Sequence, residues 1–195
     1  MARIETSQRT LYQFAELSED AKGTARNWFR GCIEPDELPD YDDWQTIARI
    51  LGIEFKTERV PLMGGSTRHD PVIYWALNPD SAAFAGWYSY AKGAPKAIRA
   101  HAPQDETLHT IADTLQSVQR RNFYRITATC ETRGRDGTSQ RVESDCEDIA
   151  EPLTDFAHWI AMQVSAQWDY LNSDEYVDDC ILCNEYEFDS EGNIA

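Results

Sequence analysis

The feature that most constrains this chain is the distribution of its charge. Of its 34 Asp and Glu, 15 fall in residues 142–195, a segment of 54 residues that contains none of the 18 Lys and Arg. Residues 1–141 hold the other 19 acids and every basic residue, so the net charge of −16 belongs almost wholly to one segment. A one-signed surface projects a field over about a Debye length, roughly 8 Å at physiological salt. It repels nucleic-acid phosphates and lipid headgroups and steers a basic partner inward.

Charge of this size raises the question of disorder, which the 42% hydrophobic and 11% aromatic content of the 195 residues answers in favour of a packed core. A chain of this length is expected to form one α+β domain, 1–195, that needs no metal or disulfide for stability. No apolar run approaches the roughly 20 residues that span a bilayer. The opening stretch MARIETSQRTLYQF lacks the basic-then-apolar order of a secretion signal. Cys32, Cys130, Cys146, Cys180 and Cys183 are odd in number and scattered, as reduced thiols of a cytoplasmic protein would be.

Local patterns place about five helices around an antiparallel sheet of about five strands. A strand-like Thr10–Phe14 leads to Ser18, a helix cap followed by Glu19 and Asp20 and by Ala21, Ala25, Trp28, Phe29 and Cys32 at helical spacing. After an acidic loop at 34–43, a second helix begins near Asp40, with Trp44, Ile47, Ala48 and Leu51 inward and Gly52 closing it. IEFKTERV, VIYWAL and FAGWYSY are expected to form an antiparallel meander, with MGGSTRHDP as an exposed loop. Gln104–Arg121 forms a helix with Leu108, Ile111, Ala112, Leu115 and Val118 inward. FYRITATCETR and SQRVESDCE flank the turn GRDG as a hairpin. Leu153, Phe156, Ala157, Ile160, Val164, Trp168 and Leu171 then trace one stripe of a long amphipathic C-terminal helix with an anionic polar face. Residues 174–184 form a shorter helix before a strand-like YEF.

Catalytic signatures are absent: there is no H-E-x-x-H, G-x-S-x-G, Walker or G-x-G-x-x-G pattern, and Gly64-Gly65-Ser66 is followed by no lysine. Cys180-x-x-Cys183 is half a zinc site at most, and its apolar flanks point to buried thiols. Glu106, His109 and Asp113 share one helix face, where they form either a metal-dependent site or an ordinary polar surface. His69 with Asp70 is read as a loop pair. Arg120, Arg121 and Arg125, beside Phe123 and Tyr124, are read as helix-end cations that pair with the chain's own acids. No cofactor is expected.

Two stretches, YQFAELSEDAKGTARNWFRG and GWYSYAKGAPKAIRAHAPQDETLHTIADTLQSVQRRNFYRITATC, resemble small acidic accessory proteins of tailed phages and prophages, often labelled antitoxins of toxin–antitoxin stability systems. The likeness is to the whole sequence and carries no active residues. It implies expression in a bacterial host cell and a role of the anti-CRISPR or anti-restriction kind, against a basic nucleic-acid-binding complex of host defence. Asp145, Glu147, Asp148, Glu151 and Asp155, with Asp169, Asp174, Glu175, Asp178 and Asp179, are the expected contacts, imitating the phosphates of a nucleic acid. Trp159 or Trp168 is a candidate for the rim. The partner is then a protein, with no direct binding of nucleic acid or membrane. Neutralisation of a basic toxin is the alternative binding role.

Overall fold

The computed structural model describes residues 9–35, 38, 40–77 and 80–195, and it is a mixed α+β protein with antiparallel sheets. The chain divides into two compact units, one comprising Pro39–Ser165 and the other Met1–Leu38 with Ala166–Ala195.

The larger unit is built on a four-stranded antiparallel sheet of β2 (Ile53–Phe55), β7 (Gly86–Tyr88), β8 (Ala128–Arg133) and β9 (Ser139–Glu143), in that order. Two hairpins interrupt the connection from β2 to β7. They are β3 (Thr57–Pro61) with β4 (Thr67–Pro71), and β5 (Ile73–Leu77) with β6 (Asp80–Phe84). Backbone bonds from Lys56 N to Ala85 O and from Val72 N to Lys56 O, both 2.8 Å, close their base. The amide of Gln140 on β9 accepts from Phe84 N at 2.9 Å and donates to Phe84 O at 3.2 Å. This fastens the second hairpin to the sheet.

Period-2 alternation sorts the sheet's two faces. Ile53, Phe55, Tyr88, Ala128 and Cys130 point inward and are buried, while Glu54 and Trp87 point outward. Gly86 lies opposite Phe55, where an added Cβ would come within 2.2 Å of Glu54 O, so only glycine fits. Against the inner face lies the part of α5 (Ala150–Leu171) that belongs to this unit, whose fully buried Phe156 meets Phe84 at 5.7 Å between ring centroids, Trp159 at 5.7 Å and Phe55 at 6.3 Å. Helices α2 (Tyr41–Leu51), α3 (Ala94–His101) and α4 (Glu106–Arg121) complete this unit. One carboxylate serves two helices: Asp105 Oδ1 accepts from Leu108 N to cap α4, and its Oδ2 accepts the indole N–H of Trp159 on α5 at 2.8 Å.

The smaller unit pairs β1 (Tyr12–Gln13) antiparallel with β10 (Glu187–Phe188), and adds α1 (Glu19–Arg30) and α6 (Asp174–Cys183). Its core is Phe14, Leu17, Ala21, Ala25, Val177, Ile181 and Phe188, flanked by Trp28, Phe29 and Tyr186. Gly192, at φ +86°, passes so close to α1 that a Cβ would fall 2.0 Å from Ala21 O.

Several expectations hold in detail. Ser18 caps α1, Gly52 closes α2 in the left-handed conformation, and α2 and α6 begin where expected, with Asp40 and Ser173 found as their caps. Others are corrected. The three aromatic segments do not form a simple meander, because β5 takes β6 as its partner and β2 pairs directly with β7. Most of the presumed loop MGGSTRHDP is the turn and second strand of the β3–β4 hairpin, which is exposed on nearly every residue and so shows no apolar alternation. Strand β8 begins at Ala128, not Phe123, since Phe123 and Tyr124 adopt φ of 56° and 60°. Strand β9 stops at Glu143, where Ser144 Oγ donates to Thr127 O at 2.7 Å. Helix α3, with two buried residues, left no stripe to recognise.

Replacing Phe156 by Ala removes the ring at the centre of the larger unit. Urea denaturation should show a loss of about 3–5 kcal/mol of stability. A loss below about 1 kcal/mol would place that ring outside a packed core.

Candidate partner-binding surface

The ten carboxylates predicted to face a partner fall on both units. Asp145, Glu147, Asp148, Glu151 and Asp155 belong to the larger one and are all exposed. Glu147 and Asp148 lie in a 3-10 turn, Glu147–Ile149, that runs into α5, and Glu151 sits in the first turn of α5, where the helix dipole favours an anion. Asp148 lies 3.5 Å from Arg121 Nη2.

The second group belongs to the smaller unit, where two of the carboxylates, half-buried Asp178 and exposed Asp174, pair with arginines of α1. Arg26 of α1 donates from Nε and Nη2 to the two oxygens of Asp178, at 2.6 and 2.7 Å, and this pairing raises the arginine's pKa. Arg30 pairs with Asp174 and donates from Nε to Asn172 O at 2.9 Å. Asp169, Glu175 and Asp179 are exposed. Seven of the ten, Asp145, Glu147, Glu151, Asp155, Asp169, Glu175 and Asp179, have no cationic partner among the described residues.

The long helix is not anionic along its whole polar face. Between Asp155 and Asp169 its exposed positions are His158, Met162, Ala166 and Gln167. Its charge is concentrated in two groups. Trp159 is 4% exposed and bonded to Asp105, which removes it from any rim, and Trp168 is half-buried. Of the acidic loop at 34–43, Asp36 and Glu37 lie outside the described residues. Asp40 caps α2, and Asp43 meets His101 Nε2 at 2.9 Å.

The other candidate sites are engaged in structural contacts. Arg99 holds Asp113 through two bonds of 3.1 and 2.6 Å, which keep that carboxyl below its ordinary pKa. His109 Nε2 donates to Ala102 O at 2.8 Å, and Glu106 is exposed. Among the described residues no group of three His, Cys, Asp or Glu could hold a metal ion. His69 is exposed on β4, and the neighbouring Asp70 is chelated by Arg68 at 2.5 and 2.7 Å. Cys183 is exposed and Cys180 half-buried, contrary to the expectation of buried thiols, because Val177 and Ile181 take the core-facing positions of α6. Burial instead pushes the Cys130 thiol up to about 12. Arg120 and Arg125 have no acidic partner among the described residues, leaving only Arg121 near a carboxylate. Beside them Phe123 is 81% exposed, while Tyr124 meets Tyr90 with ring centroids 4.7 Å apart and planes tilted by 41°.

A cleft of about 610 Å³ that no sequence pattern announces lies on the outer face of the sheet, lined by Trp87, Ser89, Thr127, Thr129, Glu143, Ser144 and Asp145 among others. In the sequence, Trp87 is one aromatic of the strand segment FAGWYSY. The alternation Gly86 in, Trp87 out, Tyr88 in was the available signal, legible only once the inner face is known.

A sequence model for the family described as a domain of unknown function (DUF8835) matches residues 39–174. The match covers well over half of the 195 residues, and the chain belongs to this family. It takes in the whole of the larger unit. No curated protein matches the chain, and no solved structure does. No helix among the described residues is long and apolar enough to cross a membrane.

The thiols give a direct check on these environments. In the native protein a thiol reagent, followed site by site by mass spectrometry, should modify exposed Cys32 and Cys183 first and leave Cys130 untouched until the protein unfolds. Native labelling of Cys130 as fast as Cys183 would contradict its burial.

Proposed function

We propose that this protein is a non-catalytic inhibitor, encoded by a phage or prophage, that presents a polyanionic, nucleic-acid-mimicking surface to a basic nucleic-acid-binding complex of bacterial host defence. The observation that carries this reading is the set of seven exposed carboxylates left without a cation among the described residues. Their segment, residues 142–195, has no Lys or Arg to neutralise them. The resemblance to phage accessory proteins supplies the cellular setting.

Unpaired surface charge costs a fold stability through self-repulsion, and it accelerates and orients the encounter with a surface of opposite sign. Asp174 and Asp178 act differently, since their oxygens already meet Arg30 and Arg26. The working contacts are therefore Asp145, Glu147, Glu151 and Asp155 on the larger unit, and Asp169, Glu175 and Asp179 on the smaller.

Expression in a bacterium with an active nucleic-acid-guided defence should raise the plating efficiency of a targeted phage. The triple variant Glu147→Lys, Glu151→Lys, Asp155→Lys should lower that protection by about tenfold or more. Binding to the purified defence complex should weaken steeply toward about 0.5 M salt. Protection that survives the charge reversal, or binding indifferent to salt, would refute the reading.

A further inference from the structure

We infer that the cleft at Trp87 is a receptor for a cationic side chain, an arginine guanidinium or lysine ammonium projecting from the basic partner. The inference rests on the reading of an acidic surface that meets a basic protein, and it adds the point at which that partner is anchored.

Glu54 on β2 lies opposite Trp87 on β7, Trp87 opposite Thr129 on β8, and Thr129 opposite Glu143 on β9. All four side chains share the sheet's outer face. With neighbouring strands about 4.8 Å apart, one carboxylate stands beside the indole and another about 10 Å from it on the other side. Trp87 is 52% exposed and has no ring partner among the described residues, although β7 is an interior strand of the sheet. A large aromatic surface held open at the centre of a rigid sheet is unusual unless something covers it.

The cleft supplies what a cation needs. A cation within about 6 Å of an indole face is attracted by the ring's negative quadrupole, and tryptophan is the strongest of the aromatic residues in this respect. Asp145 enters the cleft wall with no cation of its own among the described residues. Glu143 meets Arg141 Nη2 through Oε1 at 2.5 Å, which leaves its second oxygen to accept. Thr127, Thr129 and Ser89 line the same space with hydroxyls free to accept further N–H bonds, while Ser144 Oγ is already engaged with Thr127 O. A volume of about 610 Å³ is ample for a guanidinium and its aliphatic stem. Asp145 also belongs to the carboxylates assigned to the partner surface on the larger unit.

The test uses the whole protein and a nine-residue polyarginine peptide as probe. Titration should move the indole N–H resonance of Trp87, identified by its disappearance in Trp87→Phe. Trp87→Ala should weaken the peptide by about fivefold or more, and Trp87→Phe by less, because phenylalanine keeps an aromatic face. If the peptide binds while the Trp87 resonance stays in place, or if Trp87→Ala binds as tightly as the parent, the cleft is not the receptor. The wider polyanion reading would then stand on its own charge-reversal test. If the peptide fails to bind even at low salt, both readings fall.

Discussion

A segment with fifteen carboxylates and no cation of its own can form ion pairs only with other parts of the chain, and the structure is arranged around that constraint. Asp178 meets Arg26, Asp174 meets Arg30, Asp189 meets Arg9, Asp148 meets Arg121, and Glu143 meets Arg141. Each pair joins residues 142–195 to an arginine from residues 9–141. Magnitudes show what these pairs do. An exposed pair contributes about 0–1 kcal/mol, whereas burying one Val, Ile or Phe contributes about 1.5–3 kcal/mol. Burial of Phe14, Val177, Ile181 and Phe188 therefore drives the smaller unit together. The two-bond Arg26–Asp178 contact sets how α6 aligns on α1 and lets an acidic helix dock without leaving its charge near the core unanswered.

The larger unit solves a different problem with aromatic packing and a few buried polar groups. Phe156 joins α5 to β2 and β6, and Asp105 ties the start of α4 to Trp159. Gln119, fully buried, donates to Ile126 O at 2.7 Å and to Tyr88 OH at 3.3 Å, and accepts from Ile126 N. It satisfies the backbone just beyond the left-handed Phe123 and Tyr124, where no regular strand can. With the sheet's inner face filled by α5, its outer face is left to carry Trp87 and the cleft.

What could be seen in the sequence follows from how local its cause is. Ser18, Asp40, Gly52 and Ser173 act within one helical turn, and the stripe Leu108–Ile111–Leu115–Val118 repeats within one helix, so helix ends and faces were legible. Strand partners were not. The pairing of Ile53 with Tyr88 spans two intervening hairpins, one of which is polar on nearly every residue. The acidic surface was visible as composition, but its division was not. That Asp178 serves Arg26, 152 residues away, while Asp179 faces solvent depends on contacts that no local pattern encodes. Trp87 was hidden for a similar reason, since which phase of β7 faces outward is settled by α5 on the other side of the sheet.

The smaller unit draws its strands and helices from two stretches separated by the whole of the larger one. During synthesis, α1 emerges before the larger unit with Trp28 and Phe29 on its surface, but the aromatic partners Tyr186 and Phe188 are made only after that unit. At about 5–20 residues per second, residues 39–165 alone occupy the ribosome for roughly 6–25 s. Throughout that interval the first helix has no core to join, while the larger unit, contiguous in sequence, can already condense. Assembly is thus ordered by topology, with the larger unit first and the two flanking stretches closing afterwards, and the clamp between Arg26 and Asp178 forms only after residues 39–165 have been made.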